Sequence, residues 1–369
     1  MVAASDGVRV ERLRAHAYTI PTDKPEADGT IAWDSTTLVL VEIEAGGQTG
    51  LGYSYADESI VGLITGKLTE AVGQGDAMDT GAAWLAMQRS VRNLGRQGLA
   101  ACAISAVDTA LWDLKAKLAG LPLCLLLGRF RDAVPIYGSG GFTTYTDDEL
   151  REQFSGWIER DGCAWVKMKI GTHPEQDPHR VGIARAAIGE RGLFVDANGA
   201  LTVKQALGEM QGFLREHGVL WFEEPVSSDD LEGLRRLRDR APAPMEVAAG
   251  EYGYESDYFR RMLQSGAVDV QQADATRCGG ITGFLQAAAL CEAFHIDLSG
   301  HCAPALHLHA ACAAPRFRHL EWFHDHVRIE HMLFDGAPVP ADGKIQPDLS
   351  RPGLGLAFKH QDAERYRAA

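Results

Sequence analysis

The sequence predicts an α/β protein in which a closed barrel of eight parallel strands follows a smaller α+β unit. The chain has 369 residues, which is enough for more than one domain. From Val134 onward, short apolar runs with strand character alternate with helix-like stretches. Most of these runs are followed or ended by an ionisable side chain, as expected where barrel strands open onto an active site.

Residues 1–130 form the predicted α+β unit. Thr37–Glu44 is rich in β-branched residues and is followed after two glycines by Gly50–Tyr55, which predicts a hairpin. Pro21–Asp34 is polar and contains two prolines and a glycine, so we expect a mobile loop there. Gly98–Ala119 has apolar residues at helical spacing and predicts a helix that ends before Pro122.

Residues 131–335 carry the predicted barrel, and the turn-rich residues 336–369 are expected to pack back on the first unit. Helix-like stretches such as Thr202–Glu216 and Asp229–Arg240 separate most of the apolar runs. The eight predicted strands are Val134–Tyr137, Trp165–Ile170, Leu193–Ala197, Val219–Phe222, Met245–Ala249, Val268–Gln272, Ile296–Ser299 and Leu320–Phe323.

Composition narrows the class of partner. The chain has 50 acidic and 36 basic residues and a formal net charge of −14, which argues against nucleic acid and anionic membrane surfaces as partners. Its seven cysteines form no C-x-x-C pair, which is typical of a reduced chain. The sequence shows neither an apolar signal core near its start nor an uncharged apolar run of membrane-spanning length, so we expect a cytoplasmic protein.

Three carboxylates come from successive predicted strands. Asp196, Glu223 and Glu251 each follow an apolar run, and the carboxyl ends of barrel strands meet at one mouth. Carboxylates brought together in this way repel one another unless a cation joins them. Hard oxygen ligands suit Mg²⁺, with Mn²⁺ as an alternative.

Basic groups are predicted on both sides of these carboxylates. Lys169 and His301 belong to strands two and seven and should lie roughly opposite each other. Lys167 has the same strand parity as Lys169, so we expect the two ammonium groups to lower one another's pKa and favour a neutral lysine base. Asp274 ends the preceding strand and could orient the His301 ring. This arrangement suits abstraction of a proton next to a carboxylate.

Several independent motifs in the same order resemble the enolase superfamily, and specifically its mandelate racemase subgroup. The resemblance extends over nearly the whole chain and implies an N-terminal capping domain, a modified (β/α)7β TIM barrel and a C-terminal tail that completes the cap. The motifs are Lys167-Met168-Lys169, Asp196-Ala197-Asn198-Gly199, Glu223-Glu224-Pro225, Gly250-Glu251, Asp274 ahead of Cys278-Gly279-Gly280, and Ser299-Gly300-His301.

The resemblance also implies a role for each site residue. Lys169 is one acid/base group, and His301 paired with Asp274 is the other. Glu321 is expected to hydrogen-bond the substrate carboxylate, with Lys167 as its electrostatic partner. The resemblance implies that Mg²⁺ is bound by Asp196, Glu223 and Glu251. Further substrate contacts are expected from Trp33, Asn198 and His324, and Pro21–Asp34 is expected to close over the barrel mouth and select the substrate.

The reaction implied is Mg²⁺-dependent removal of the proton α to a carboxylate, with an enediolate intermediate. Dehydration of a sugar acid to a 2-keto-3-deoxy acid is the first hypothesis, and two-base racemisation or epimerisation of a 2-hydroxy acid is the second. Cycloisomerisation fits less well, because that branch lacks the His–Asp dyad. A non-catalytic sugar-acid binding protein is a further alternative. Relatives of this kind form homo-oligomers, so a dimer to octamer is expected.

Overall fold

The computed structural model describes residues 7–73 and 75–368 and begins with a three-stranded antiparallel sheet. Its strands are β1 Arg12–Ala27, β2 Ala32–Ala45 and β3 Gln48–Tyr55, in that order, so the predicted hairpin is confirmed. Residues 21–34 were expected to be a loop, but most of them extend β1 and β2. A register irregularity between Pro21 and Glu26 lets both prolines lie in the extended strand, and only residues 28–31 form the tip.

Helices cover one face of this sheet, and most residues of the longest helix are buried. At Gly52 a Cβ would lie 2.2 Å from the backbone oxygen of Ala106, so glycine permits the close approach of β3 to this helix. The helices of this region are α1 Ile60–Leu63, a π-helical turn Ile64–Leu68, α2 Thr69–Val72, α3 Thr80–Ser90, α4 Leu99–Leu118 and α5 Leu123–Leu127.

Eight parallel strands then close into a barrel, because the last of them pairs with the first as well as with its sequence neighbour. This confirms the predicted fold class. The strands are β4 Val134–Gly140, β5 Trp165–Lys169, β6 Gly192–Asp196, β7 Val219–Glu223, β8 Glu246–Ala249, β9 Val270–Ala273, β10 Asp297–Gly300 and β11 Phe317–Phe323.

The barrel helices lie outside the strands, and the predicted helix over residues 202–216 is divided at Gly212. Thr146 and Thr202 each begin a helix with a reciprocal capping box. The helices are α6 Asp147–Glu159, α7 Asp177–Ile188, α8 Val203–Gln211, α9 Phe213–Glu216, α10 Leu231–Arg238, α11 Ser256–Ser265, α12 Gly280–Phe294, α13 Pro304–Cys312 and α14 His324–Leu333. In the described part of the chain, no helix combines the length and apolarity that a membrane crossing requires.

The tail returns to the N-terminal sheet and its helices. The amide of Leu354 donates to the buried Asp113 of α4 at 2.6 Å, and the amide of Ala368 donates to the carbonyl of Ala17. The tail also touches the barrel, where its second short strand pairs with β4. The remaining elements are β12 Phe334–Asp335, β13 Lys344–Ile345, β14 Ala357–Phe358, α15 His360–Ala363 and a 3₁₀ turn Glu364–Tyr366.

Polar contacts join the N-terminal unit to the segment that follows β9. Ser105 of α4 accepts hydrogen bonds from the amides of Gly279 and Gly280, at 2.8 and 3.1 Å. The Ser54 hydroxyl of β3 donates to the carbonyl of Thr276 at 2.7 Å. All of these atoms are buried, so the backbone between β9 and α12 is fixed by two elements of the N-terminal unit.

Candidate active site

Asp196, Glu223 and Glu251 lie together at the carboxyl ends of β6, β7 and β8. One oxygen from each residue lies within 4.8 Å of the others, and all three side chains are buried. Parallel register places Asp196 beside Glu223, and the Trp221 indole fixes Glu223 by donating to its Oε2 at 2.8 Å. The three carboxylates predicted from the strand ends therefore converge.

The two lysines of β5 neutralise this acidic cluster. The Nζ of Lys169 lies 2.5 Å from Oδ2 of Asp196, and Lys167 forms ion pairs with Glu223 and Glu321. Burial opposes their charged forms. The carboxylates outweigh that effect, however: Asp196 raises the pKa of Lys169, and Glu223 followed by Glu321 raises the pKa of Lys167.

The expected lowering of one lysine pKa by the other is therefore outweighed by the neighbouring carboxylates. Lys167 does lower the pKa of Lys169, but Asp196 raises it by more. Burial raises the pKa of Asp196, and Lys169 and Lys167 together bring it below its ordinary value. The neighbouring carboxylates thus favour the ammonium form of each lysine.

A histidine faces the cluster from the other side of the mouth. Nδ1 of His301 lies 2.8 Å from Oδ2 of Asp274, and its Nε2 lies 3.4 Å from Oε2 of Glu251 and 3.8 Å from Oε2 of Glu321. Burial disfavours the imidazolium, but Glu251, Glu321 and Asp274 raise the pKa of His301 above its ordinary value. The His–Asp pair expected from the sequence is thus formed, with Nε2 turned towards the carboxylates.

Glu321 lies between the lysine and the histidine. Its Oε1 is 2.7 Å from Nζ of Lys167 and accepts from the Ser139 hydroxyl at 2.6 Å, and its Oε2 accepts from the amide of Cys302 at 3.2 Å. Burial acts to raise its pKa, but Lys167 and then His301 hold it well below the usual range. Glu321 is therefore a buried carboxylate with a fixed orientation.

A cavity of about 400 Å³ opens above these groups and is covered by the β1–β2 hairpin. Lys169, Glu251, His301 and Glu321 reach it from the barrel, and Trp33 reaches it from β2. This volume falls within the range of about 300–1,000 Å³ that is common for small-molecule sites. The described residues thus place acid/base groups and carboxylates in one ligand-sized space.

Of the residues expected to contact the substrate, some line the cavity and others do not. Trp33 and Asn198 both line the cavity, and Trp33 is held by donating its indole N–H to Oε2 of Glu26 at 2.8 Å. His324 does not line it; its Nε2 lies 3.0 Å from Oδ2 of Asp23 on the hairpin. Lys167 lies below the cavity floor, fully buried among its carboxylate partners.

Further residues that line the cavity lie outside the predicted set of site residues. His326 faces it two residues after His324, and Arg277 contributes a guanidinium that contacts Glu251. Asp28 and Asp57 come from the hairpin tip and the end of β3. Arg277 lies within the motif that begins at Asp274, so the sequence could have indicated it. Asp28 and Asp57 belong to no recognisable motif, and only the folded N-terminal unit places them at the cavity.

The three-carboxylate cluster fits a divalent cation. The buried Oε2 of Glu251 accepts no hydrogen bond from any described residue, and Nε2 of His301 lies 3.4 Å away, at ion-pair distance only. A buried carboxylate oxygen without a donor is costly unless a cation supplies its partner. The all-oxygen donor set of Asp196, Glu223 and Glu251 is one that suits Mg²⁺.

Comparison with family models covers most of the chain. A model described as "Enolase C-terminal domain-like" matches residues 149–363. A second, described as "Mandelate racemase / muconate lactonizing enzyme, N-terminal domain", matches residues 18–128. The two matches include both the cap and the barrel.

The chain is also similar in sequence to individual proteins of known activity. The chain is 33% identical to D-galactarolactone cycloisomerase of Agrobacterium fabrum over 306 residues, which cover 80% of this chain and 78% of the relative. It is 30% identical to L-talarate/galactarate dehydratase of Salmonella typhimurium over 377 residues, covering 97% and 91%.

Solved structures extend the comparison to the fold. A mandelate racemase/muconate lactonizing enzyme-like protein from Rubrobacter xylanophilus has a TM-score of 0.95 at 53% identity, covering 98% of this chain and 100% of that one. The Salmonella dehydratase liganded with Mg and L-lyxarohydroxamate has a TM-score of 0.90 at 29% identity, covering 100% and 95%.

Proposed function

The chain belongs to the mandelate racemase and muconate lactonizing enzyme family of the enolase superfamily, and on this premise we propose that it dehydrates a sugar acid to a 2-keto-3-deoxy acid. The observation that carries the proposal is the placement of Lys169 and of the His301–Asp274 pair on one cavity beside a three-carboxylate cluster. Dehydration needs one group to remove the α proton and another to protonate the departing hydroxyl.

We assign the metal ligands to Asp196, Glu223 and Glu251. When bound, Mg²⁺ supplies Lewis-acid stabilisation of the negative charge that develops on the substrate carboxylate. Glu321, fixed by Ser139 and the amide of Cys302, is placed to orient that carboxylate, to which it donates a hydrogen bond in its protonated form. Lys167 balances the charge of Glu321 from below the cavity.

Lys169 and His301 carry the proton transfers in this proposal. Lys169 acts in its neutral amine form and takes the proton from the carbon α to the carboxylate, which leaves an enediolate. The β-hydroxyl then leaves as water with a proton from Nε2 of His301, and the resulting enol tautomerises to the keto acid. The raised pKa of His301 favours its protonated form, as a general acid requires.

The test is to incubate the Mg²⁺-loaded enzyme with a panel of sugar acids in deuterium oxide and to follow the products by proton NMR. We expect loss of the α proton and appearance of a 2-keto-3-deoxy acid. Lys169→Met and His301→Asn should each abolish the product. Lys204→Met and His173→Asn remove the same residue types at exposed positions outside the cavity and should leave the rate unchanged.

A second candidate is racemisation or epimerisation at the same carbon, because the two acid/base groups reach the cavity from strands on different sides of the mouth. Deuterium would then enter both epimers, and no keto acid would form. Ligand binding with no α-proton exchange would instead identify a binding protein and would contradict both enzymatic assignments.

A further inference from the structure

The cap-side wall of the cavity carries fixed negative charge. Oδ1 of Asp28 accepts hydrogen bonds from the amides of Thr30 and Ile31, at 2.6 and 2.8 Å, which holds the carboxylate at the hairpin tip. Asp57 lies at the end of β3, where hydrogen bonds from Ser59 lower its pKa and keep it ionised. The rest of this wall is neutral, with hydroxyl and apolar side chains.

Positive charge is confined to the barrel side of the cavity. Within residues 7–73 and 75–368, the permanently charged bases that line the cavity are Lys169 and Arg277. Lys169 is paired with Asp196. Arg277 donates to Glu251 at 3.2 Å, and its Nε lies 3.5 Å from Asp274. Both bases therefore balance carboxylates of the barrel, not groups near the cap.

The histidine that lines the upper part of the cavity does not add a cation. Nδ1 of His326 accepts from the amide of Ala303 at 3.3 Å, and its ring stacks on Tyr55 with centroids 3.5 Å apart. Burial lowers the pKa of His326 to about 3, so its imidazole is neutral at physiological pH. It can exchange hydrogen bonds with a hydroxyl but cannot pair with a second carboxylate.

We propose that the substrate is a sugar acid with a single carboxylate, whose far end is an uncharged hydroxyl-bearing tail lying against Asp28, Asp57 and His326. This inference rests on the proposed function and specifies its substrate class. A carboxylate oxygen of Asp28 or Asp57 can accept a hydrogen bond from a hydroxyl, whereas a second substrate carboxylate would meet two like charges without a cation. The cap therefore selects aldonic-type acids over their dicarboxylic counterparts.

The experiment compares matched pairs that differ only in the terminal group, such as gluconate with glucarate and galactonate with galactarate. Binding to the Mg²⁺-loaded enzyme is measured by calorimetry, and kcat/KM is measured for every acid that reacts. For each pair that binds, we expect the monoacid to be favoured by about tenfold or more, as like charges in partly screened surroundings require. A diacid that binds as tightly as its monoacid, or more tightly, would overturn the charge argument.

The outcomes separate this inference from the proposed function. Turnover of diacids in preference to monoacids would retain the dehydratase and reject the substrate class. Failure of every sugar acid to bind would reject the proposed function, and this inference with it.

A charge variant tests the cap directly. Asp57→Asn keeps a side-chain oxygen that can accept from Ser59 but removes one negative charge, so the preference for the monoacid should fall by at least a factor of about three. Glu58→Gln removes the neighbouring charge, which does not line the cavity, and should leave the preference as in the wild type. An unchanged preference in Asp57→Asn, or an equal loss of preference in Glu58→Gln, would contradict the assignment.

Discussion

Nδ1 of His301 lies 2.8 Å from Oδ2 of Asp274, while Oδ1 of the same aspartate accepts from the amide of Thr276 at 2.7 Å. One carboxylate thus orients the imidazole and fixes the turn that follows β9. Because the contact is to Nδ1, the proton available to a substrate is the one on Nε2.

Asp274→Asn separates these two roles. The amide oxygen can still accept from Thr276, so the fold should be retained, but the substitution removes the charge that favours the imidazolium. We expect kcat for dehydration to fall about 100-fold or more, with a smaller change in KM, since general acid–base catalysis contributes about 10²–10⁴-fold. Steady-state kinetics with circular dichroism as the folding control measures this, and an unchanged kcat would contradict the role of the pair.

Metal binding should stabilise the fold. Mg²⁺ would compensate three buried carboxylates, and a ligand at 100 times its Kd stabilises the native state by about 2.7 kcal/mol. We expect Tm to rise with Mg²⁺ concentration and to fall back after chelation. In Glu251→Gln this response should be strongly reduced, whereas the exposed Glu70→Gln should respond like the wild type. An undiminished response in Glu251→Gln would show that the cation binds elsewhere.

Gly29 should control docking of the β1–β2 hairpin on the barrel. A Cβ at this position would lie 2.3 Å from the backbone oxygen of Ala197 and 2.7 Å from that of Ile170. Gly29→Ala should therefore push the hairpin tip away and raise KM several-fold with little change in Tm. Gly81→Ala, in a helix where nothing lies within 4 Å, is the matched control. Wild-type kinetics in Gly29→Ala would show that the tip need not approach so closely.

A buried carboxyl outside the active site predicts how stability depends on pH. Glu330 accepts from the Tyr53 hydroxyl at 2.6 Å and from the amide of Ala305 at 3.0 Å, and burial raises its pKa from 4.5 to about 8. Between these values the folded protein holds a proton that the unfolded chain has lost. Stability is thus fully present below about pH 4.5 and declines as pH rises towards 8, by at most about 1.4 kcal/mol per pH unit.

Glu330→Gln should remove this contribution to the pH dependence. Urea unfolding at several pH values between 5 and 8 measures the slope, and the exposed Glu364→Gln serves as the control. A variant slope equal to that of the wild type would mean that Glu330 is ionised in the folded state.

The barrel and its charged mouth were predictable because two sequence patterns support the same fold. One is the alternation of apolar runs with helix-like stretches, and the other is the ionisable residue at the end of most apolar runs. Each strand of a parallel barrel ends at the same mouth, so placing Asp196 and Glu223 after successive apolar runs was enough to bring them together. The direction of the Lys169 pKa was not predictable in this way. It depends on the distance of Nζ from Asp196 on the next strand relative to its distance from Lys167, and strand parity does not contain that information.

The cap contacts were also beyond the sequence pattern. A substrate contact was predicted for His324, but α14 begins at this residue and its side chain turns towards Asp23. His326, two residues later, faces the cavity. Likewise, Trp33 lies opposite Glu26 because of the register irregularity in β1. The spacing of residues in the sequence does not predict this irregularity.

Ser54 and Ser105, which belong to the N-terminal unit, hold the backbone that carries Asp274 and Arg277. Replacing this N-terminal unit with that of a relative would therefore alter more than substrate choice. The new unit would also need hydroxyl groups placed to hydrogen-bond the β9–α12 segment. A chimaera without them would misplace the acid/base histidine's partner even if every barrel residue were kept. A replacement cap must therefore supply hydrogen-bonding groups to the β9–α12 segment as well as contacts to the substrate.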